Sequence, residues 1–134
     1  MRPRLTRSLI FAAVMLGAFS VAGAAVAAQR TVEIRIALPA HIRRYSVYDV
    51  TIQGFSRVPA VAYLFVDYSP CARSFAVEDR RARRESDVYP VRGRFDEISG
   101  WRSNSAGTDH ACVYLVSRRS RVLLASIFDT FSIH

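Results

Sequence analysis

Two cysteines and a histidine are the residues of this chain whose chemistry could be catalytic. Cys71 follows Ser69-Pro70, a pair typical of a helix start, because serine caps helices and proline suits the first helical position. A thiol at a helix N-terminus has a lowered pKa and is a better nucleophile. His110 is the candidate base, and Asp109 precedes it. These residues define one hypothesis, a small thiol enzyme that uses Cys71 and His110.

The residues around Cys71 also resemble part of a known enzyme family. The segment Ser69-Pro70-Cys71-Ala72-Arg73 is similar to the Ser-x-Gly-Cys-x-Arg stretch of cell-wall L,D-transpeptidases. The resemblance implies an enzyme that acts on the cell wall. The glycine of that stretch is absent here, and so is the upstream histidine motif of the family.

A disulfide between Cys71 and Cys112 is the competing interpretation and the one that we favour. The chain has 2 cysteines, and an even number in an exported protein predicts pairing. The bond would close a loop of about 40 residues and contribute about 3–4 kcal/mol in the chain-entropy model. Because a bonded sulfur is no nucleophile, we expect no enzymatic activity.

The N-terminal segment, residues 1–28, predicts export. A positively charged end precedes an uncharged run that closes with small residues. These features lie at Arg2, Arg4 and Arg7, at Ser8 to Ala28, and at Ala25-Val26-Ala27. This is the layout of a secretory signal peptide, and its cleavage leaves a secreted or extracytoplasmic domain of residues 29–134. The alternative is a retained anchor, the one case in which we expect a membrane partner, since the uncharged run is long enough to span a bilayer.

Arginine clusters indicate what the exported domain contacts. The formal net charge of the chain is +8, and every basic residue is arginine. The clusters are Arg80, Arg81, Arg83 and Arg84 in a predicted helix, Arg118, Arg119 and Arg121 in a predicted hairpin loop, and Arg92 and Arg94 on one strand. The planar guanidinium suits phosphate and carboxylate groups. We therefore expect an anionic wall polymer, a glycan or an acidic protein as the partner.

Other interpretations of these clusters remain open. A solvated face without a partner is the alternative, partly neutralised by acidic neighbours, which are Glu78, Asp79, Glu85 and Asp87. Nucleic acid is disfavoured because no exposed aromatic residues interleave with the arginines to stack bases. Trp101 could contribute to a sugar-binding surface, although aromatic residues on strands more often pack in the core.

No cofactor and no metal are expected. The three histidines are scattered, and no two ligand-type residues recur at the spacing of a zinc site. The chain has no glycine-rich phosphate loop and no Gly-x-Ser-x-Gly motif. The sequence therefore favours a non-enzymatic role in binding or structure.

Alternation of apolar and polar residues predicts strands along most of residues 29–134. The predicted strands are Thr31–Leu38, Tyr45–Gly54, Ala60–Tyr68, Tyr89–Ile98, Ala111–Ser117 and Val122–Phe131. Ala60–Tyr68 is apolar on both faces, which indicates a central strand, whereas Pro90 indicates an edge strand. Residues 71–85 lack alternation and predict a short helical crossover. Ser99–Thr108, which contains Trp101, is predicted to be a loop.

These elements resemble the secreted immunoglobulin-like domains of bacteria. The residues that carry the resemblance are Val32-x-Ile34-x-Ile36, Tyr48-x-Val50-x-Ile52, Tyr63-Leu64-Phe65-Val66, Trp101, Cys112-Val113-Tyr114-Leu115 and Leu123–Phe131. The resemblance implies an all-β, antiparallel immunoglobulin-like sandwich of about six to seven strands with one short helical crossover. It departs from the antibody pattern at His110, where a tyrosine would be expected.

Overall fold

A computed structural model describes residues 32–134; the predicted signal peptide, residues 1–28, lies outside this range. The elements are β1 (Val32–Ala37), β2 (Val47–Asp67), α1 (Phe75–Ala82) with a 3₁₀ turn (Arg83–Glu85), β3 (Ser86–Arg102), β4 (Gly107–Ser117) and β5 (Leu123–Ile133). Neighbouring strands pair antiparallel throughout this part of the chain. The predicted antiparallel β class with one short helix is confirmed.

Strand β2 is continuous across the point where the sequence predicts a break. Its pairing with β3 shifts register between Ser56 and Ala60, so Val58-Pro59 lies in a bulge. A bulge tolerates proline because the extra residues are not needed for ladder hydrogen bonds. The two strands predicted at Tyr45–Gly54 and Ala60–Tyr68 are therefore one, and the described chain has five strands where six to seven were expected.

The bulge divides the sheet into two halves that face one core. Strand β3 follows one edge of β2 along both halves. The other edge pairs with β1 before the bulge and with β4 after it, and β5 lies beyond β4. Val50 of the first half packs with Val113 and Phe131 of the second. Bulged strands commonly turn from one layer into another in this way. The immunoglobulin-like strand order stays a prediction.

The second half of β2 is buried on both faces, as its sequence predicts. Leu64 points into the common core, whereas Phe65 packs under α1 against Ala82 and Phe75. The helix begins later than expected: its N-cap is Ser74, and Ser69-Pro70 precedes it in irregular chain. Cys71 and Ala72 are instead attached to β4, through the disulfide to Cys112 and a hydrogen bond from Tyr114, and therefore do not join the helix.

Trp101 is a strand residue, contrary to the predicted loop. Strand β3 runs to Arg102, and Trp101 pairs in register with Tyr48. Its ring packs against the common core, so the loop shortens to residues 103–106. The predicted edge position of Pro90 agrees with β3, which pairs with β2 alone among the described strands. No helix in residues 32–134 is long and apolar enough to cross a membrane.

Candidate anion-binding site

Arg81, in the predicted helix cluster, is occupied by contacts within the protein. Its Nη2 atom donates to both carboxylate oxygens of Glu78, at 3.0 and 2.8 Å, and to the carbonyl oxygen of Pro70 at 2.6 Å. Its Nε atom lies 3.9 Å from a carboxylate oxygen of Asp67. With two carboxylates this close, the positive charge of Arg81 is balanced within the protein, which weakens its attraction for an external anion.

Glu78 is the centre of this network and is fully buried. Its Oε2 atom accepts a hydrogen bond from the backbone amide of Ala72 at 2.6 Å and lies 3.4 Å from the hydroxyl of Tyr114. The Tyr114 hydroxyl donates to the carbonyl oxygen of Ala72. Burial, reinforced by the negative charge of Glu78, raises the pKa of Tyr114. A buried carboxylate needs this many partners to offset its lost hydration.

The disulfide lies beside the same network. Cys71 and Cys112 are bonded, with Sγ atoms 2.01 Å apart and Cα atoms 5.6 Å apart. We call the bonded cysteines together with Ala72, Glu78, Arg81 and Tyr114 the helix latch. The latch ties α1 and the chain before it to the outer face of β4. Residue types alone did not reveal it, because Glu78 looks like one more surface charge beside Arg80 and Arg81.

Arg80 and Arg83 of the helix cluster are exposed. Arg83 pairs with Asp79 four residues earlier, with Nη2 and Oδ2 2.5 Å apart, and this hydrogen bond raises the pKa of Arg83. Arg84 lies in the 3₁₀ turn after α1. Two of the four arginines, Arg81 and Arg83, thus have carboxylate partners on α1.

A second group of arginines meets where β2 bulges. The amide of Arg118 donates to the carbonyl oxygen of Pro59 at 3.0 Å, which joins the β4–β5 turn to the bulge. Arg92 lies opposite the bulge on β3. Arg92 and Arg118 thus lie on opposite edges of β2. The spacing of neighbouring strands puts their backbones about 10 Å apart. We call this region the arginine end; it comprises Arg57, Arg92, Arg118, Arg119 and Arg121, all exposed.

The arginine end has no acidic residue in the segments that build it. These segments are residues 56–60, 91–93 and 117–122, and they contain five arginines and neither aspartate nor glutamate. Sequence reasoning identified the turn and the strand arginines separately. It missed that they meet, and it missed Arg57, because only the bulge and its bond to the turn bring these segments together.

The β4–β5 turn that presents three of these arginines is well ordered by hydrogen bonds. Ser117 anchors it: its amide donates to Val122, its carbonyl accepts from Arg121, and its Oγ accepts from the amide of Ser120, at 2.9, 3.0 and 3.3 Å. Arg121 adopts a left-handed conformation with φ of 60°. Glycine is the residue that suits this conformation best, so an arginine here is unfavourable for folding.

Acidic side chains gather at the far end of the second half of the sheet. Asp67 pairs in register with His110, and Asp129 pairs with Ala111. Burial and the charge of Asp67 raise the pKa of Asp109. Ala60 and Asp67 mark the two ends, and seven residues of strand separate them by about 23 Å. These carboxylates lie at the end of β2 away from the bulge, where Arg81 approaches Asp67.

The alternative thiol site is not assembled. Cys71 is bonded to Cys112 and lies before the helix, and residues 32–134 contain no free cysteine. The Nδ1 atom of His110 lies 3.1 Å from the hydroxyl of Thr130 on β5. Within the described part of the chain, no cluster of His, Cys, Asp or Glu could hold a metal ion.

Comparisons with known proteins assign no family. No family model matches the chain, and no curated protein matches it. A solved structure that resembles it is the CARDB domain of the PF1109 protein in complex with di-metal ions from Pyrococcus furiosus. The match has 8% sequence identity and a TM-score of 0.49, and it covers 76% of this chain and 91% of that domain. A likeness this distant defines neither family nor function for the chain.

Proposed function

We propose that the protein is an exported, non-enzymatic β-domain that binds an anionic polymer, a wall polymer or a glycan, through the arginine end. The observation that carries this proposal is the junction of the β4–β5 turn with the β2 bulge. That junction brings together residues 56–60, 91–93 and 117–122, whose sequences contain five arginines and no aspartate or glutamate. Arg118, Arg119 and Arg121 supply most of the charge.

The chemistry of guanidinium groups explains how such a surface selects its partner. Each group donates several hydrogen bonds in one plane, which matches phosphate, sulfate and carboxylate oxygens. A polymer with regularly spaced anions engages several groups at once and releases its bound counterions. The hydrogen bonds of Ser117 hold the turn in place, so less conformational entropy is lost on binding.

The exported location rests on two features. The first is the signal-peptide layout of residues 1–28. The second is the disulfide between Cys71 and Cys112, since such bonds persist in oxidising compartments. The polymers that surround a cell are rich in phosphate, carboxylate and sulfate groups, which are the groups that the arginine end recognises.

A binding titration with three defined polyanions tests the proposal. Fluorescently labelled polyphosphate, dextran sulfate and polyglutamate would be titrated with the protein, and binding followed by anisotropy. The variant R118S/R119S/R121S should bind the preferred polymer at least about tenfold more weakly. A matched variant, R80S/R83S, removes two exposed arginines from the helix cluster and should lose less than about threefold. Equal losses per arginine removed in the two variants would refute the arginine end as the site, and a preference for polyglutamate would indicate an acidic protein as the partner.

A further inference from the structure

The two halves of the sheet differ on their outer faces. The second half is covered by α1, whereas the outer face of the first half carries no helix among the described residues. Two neighbouring rows on that uncovered face carry six side chains: Glu33 and Arg35 on β1, Gln53 and Phe55 on β2, and Arg94 and Asp96 on β3. We call this surface the checkerboard face. It forms an open trough with charged residues on both sides.

The register of the strands orders these charges. In one row, Glu33 and Arg94 flank Phe55. In the next row, Arg35 and Asp96 flank Gln53. Both flanking strands thus carry a positive and a negative side chain, in opposite order along the sheet. A negative side chain therefore has a positive one as its neighbour both across the trough and along each flanking strand.

The contacts within the chain leave much of this charge accessible. Arg35 donates to Glu33 at 2.6 Å, and the two side chains are 72% and 37% exposed. Gln53 donates to Asp96 at 3.1 Å, which orients that carboxylate. Exposed pairs of this kind contribute little to the stability of a single chain. The alternating charges can instead pair with opposite charges on another protein surface.

We propose that the checkerboard face binds the same face of a second copy of this chain, related by a twofold axis parallel to β2. Rotation about that axis exchanges the β1 side of the trough with the β3 side. Glu33 then lies opposite the partner subunit's Arg94, and Arg35 lies opposite the partner subunit's Asp96. Phe55 meets the partner subunit's Phe55 at the centre. Within these two rows each charge faces its opposite, which is the self-complementarity that a twofold interface requires.

The size of the face predicts a weak, concentration-dependent dimer. The whole outer face of the first half, three strands about 14 Å wide and about 30 Å long, would give at most roughly 400 Å² for each copy. Stable interfaces bury about 800 Å² on each side. The inference goes beyond the proposed function and does not depend on it. It has one consequence for that function: the chosen axis places both arginine ends at the same end of the dimer, where one polymer could engage both.

Exchange of charges between two variants tests this geometry. In Glu33→Arg, the introduced arginine would face the partner's Arg94, and in Arg94→Glu, Glu33 would face the introduced glutamate. Sedimentation velocity over a concentration series should show self-association at least about tenfold weaker for either variant than for the wild type. An equimolar mixture of the two variants should dimerise again, because each altered charge then faces its opposite.

The control variant changes an arginine that lies away from the checkerboard face. Arg80→Glu changes an exposed arginine of α1, which covers the other half of the sheet, and should dimerise like the wild type. The circular dichroism of each variant would be compared with the wild type, and the mixture provides a second check, because misfolded variants would not associate. A mixture that stays monomeric would overturn the proposed axis. A wild type that stays monomeric at millimolar concentration would overturn the interface altogether.

Discussion

Two segments of this protein share the pattern Arg-Arg-x-Arg, and the fold uses them differently. At the end of α1 the pattern spans Arg80 to Arg83, and two of its arginines are paired with Glu78 and Asp79. In the β4–β5 turn it spans Arg118 to Arg121, and no acidic residue lies in that turn. The helix cluster is therefore partly neutralised by its own segment, whereas the turn supplies no carboxylate to its three arginines.

The difference arises from helical spacing. Residues three or four positions apart are neighbours on a helix surface, so Glu78 reaches Arg81 and Asp79 reaches Arg83. Burial then turns the first of these pairs into part of the helix latch. In a tight turn no such spacing operates. The three arginines are exposed, and the hydrogen bonds of Ser117 fix the backbone of the turn.

The largest expected effect concerns the disulfide of the helix latch. In the double variant C71S/C112S the unfolded chain gains the entropy of a 41-residue loop, and we expect a loss of about 3–4 kcal/mol in the free energy of unfolding. Urea denaturation measures it. Under native conditions the variant should still bind the polyanion like the wild type, because the arginine end lies at the other end of the second half of β2. A loss of binding in the folded variant would contradict the separation of the two regions.

Removing the buried carboxylate should have the next largest effect. Glu78→Gln leaves Arg81 without its main partner, and we expect a loss of about 3 kcal/mol in urea denaturation. The matched control is Asp79→Asn, which breaks the exposed pair with Arg83 and should cost much less, because exposed ion pairs contribute little to stability. Similar losses for both variants would show that Glu78 is no more important than a surface charge.

Arg121 allows stability and binding to be separated in the turn. Arg121→Gly relieves the left-handed conformation and should raise the free energy of unfolding by about 1 kcal/mol, while it weakens polyanion binding severalfold. The control Arg119→Gly removes the same charge from a residue without positive φ, so it should weaken binding without any gain in stability. Thermal denaturation and anisotropy titrations measure the two effects. Unchanged binding in Arg121→Gly would exclude that side chain from the site.

The smallest effect is expected at the acidic end and depends on pH. Burial and the charge of Asp67 raise the pKa of Asp109 in the folded protein, so its ionisation is less favourable there than in the unfolded chain. This unfavourable contribution is absent in acid, where the carboxyl is protonated in both states, and it grows as pH rises above the unfolded pKa. Asp109→Asn should therefore stabilise the protein at neutral pH and have little effect in strong acid. Denaturation at several pH values tests this, and a stabilisation independent of pH would contradict it.

Much of the strand pattern could be predicted from the sequence, because alternation reports directly on one buried face. Ala60–Tyr68 was correctly interpreted as central, and Pro90 correctly marked an edge strand. Two features could not be predicted locally. Val58-Pro59 looks like a strand break, since a single sequence does not distinguish a bulge from a loop. Trp101 looks like a loop residue because of its glycine and serine neighbours, although pairing with Tyr48 keeps it in β3.

The candidate site was predictable only as separate parts. The arginines of the turn were recognised from their spacing, but their junction with Arg92 depends on long-range pairing through β2. The role of Glu78 was not recognised, because nothing local distinguishes a buried glutamate on a helix from an exposed one.

The salt dependence of polyanion binding tests the central claim most directly. The affinity for polyphosphate would be measured over a range of salt concentrations for the wild type, R118S/R119S/R121S and R80S/R83S. The slope of log K against log salt counts the anionic groups that the protein neutralises, at roughly 0.7 for each on a flexible strand. The account predicts that the turn variant loses about 2 in slope and that the helix variant keeps the slope of the wild type. An unchanged slope in the turn variant, with a reduced slope in the helix variant, would contradict it.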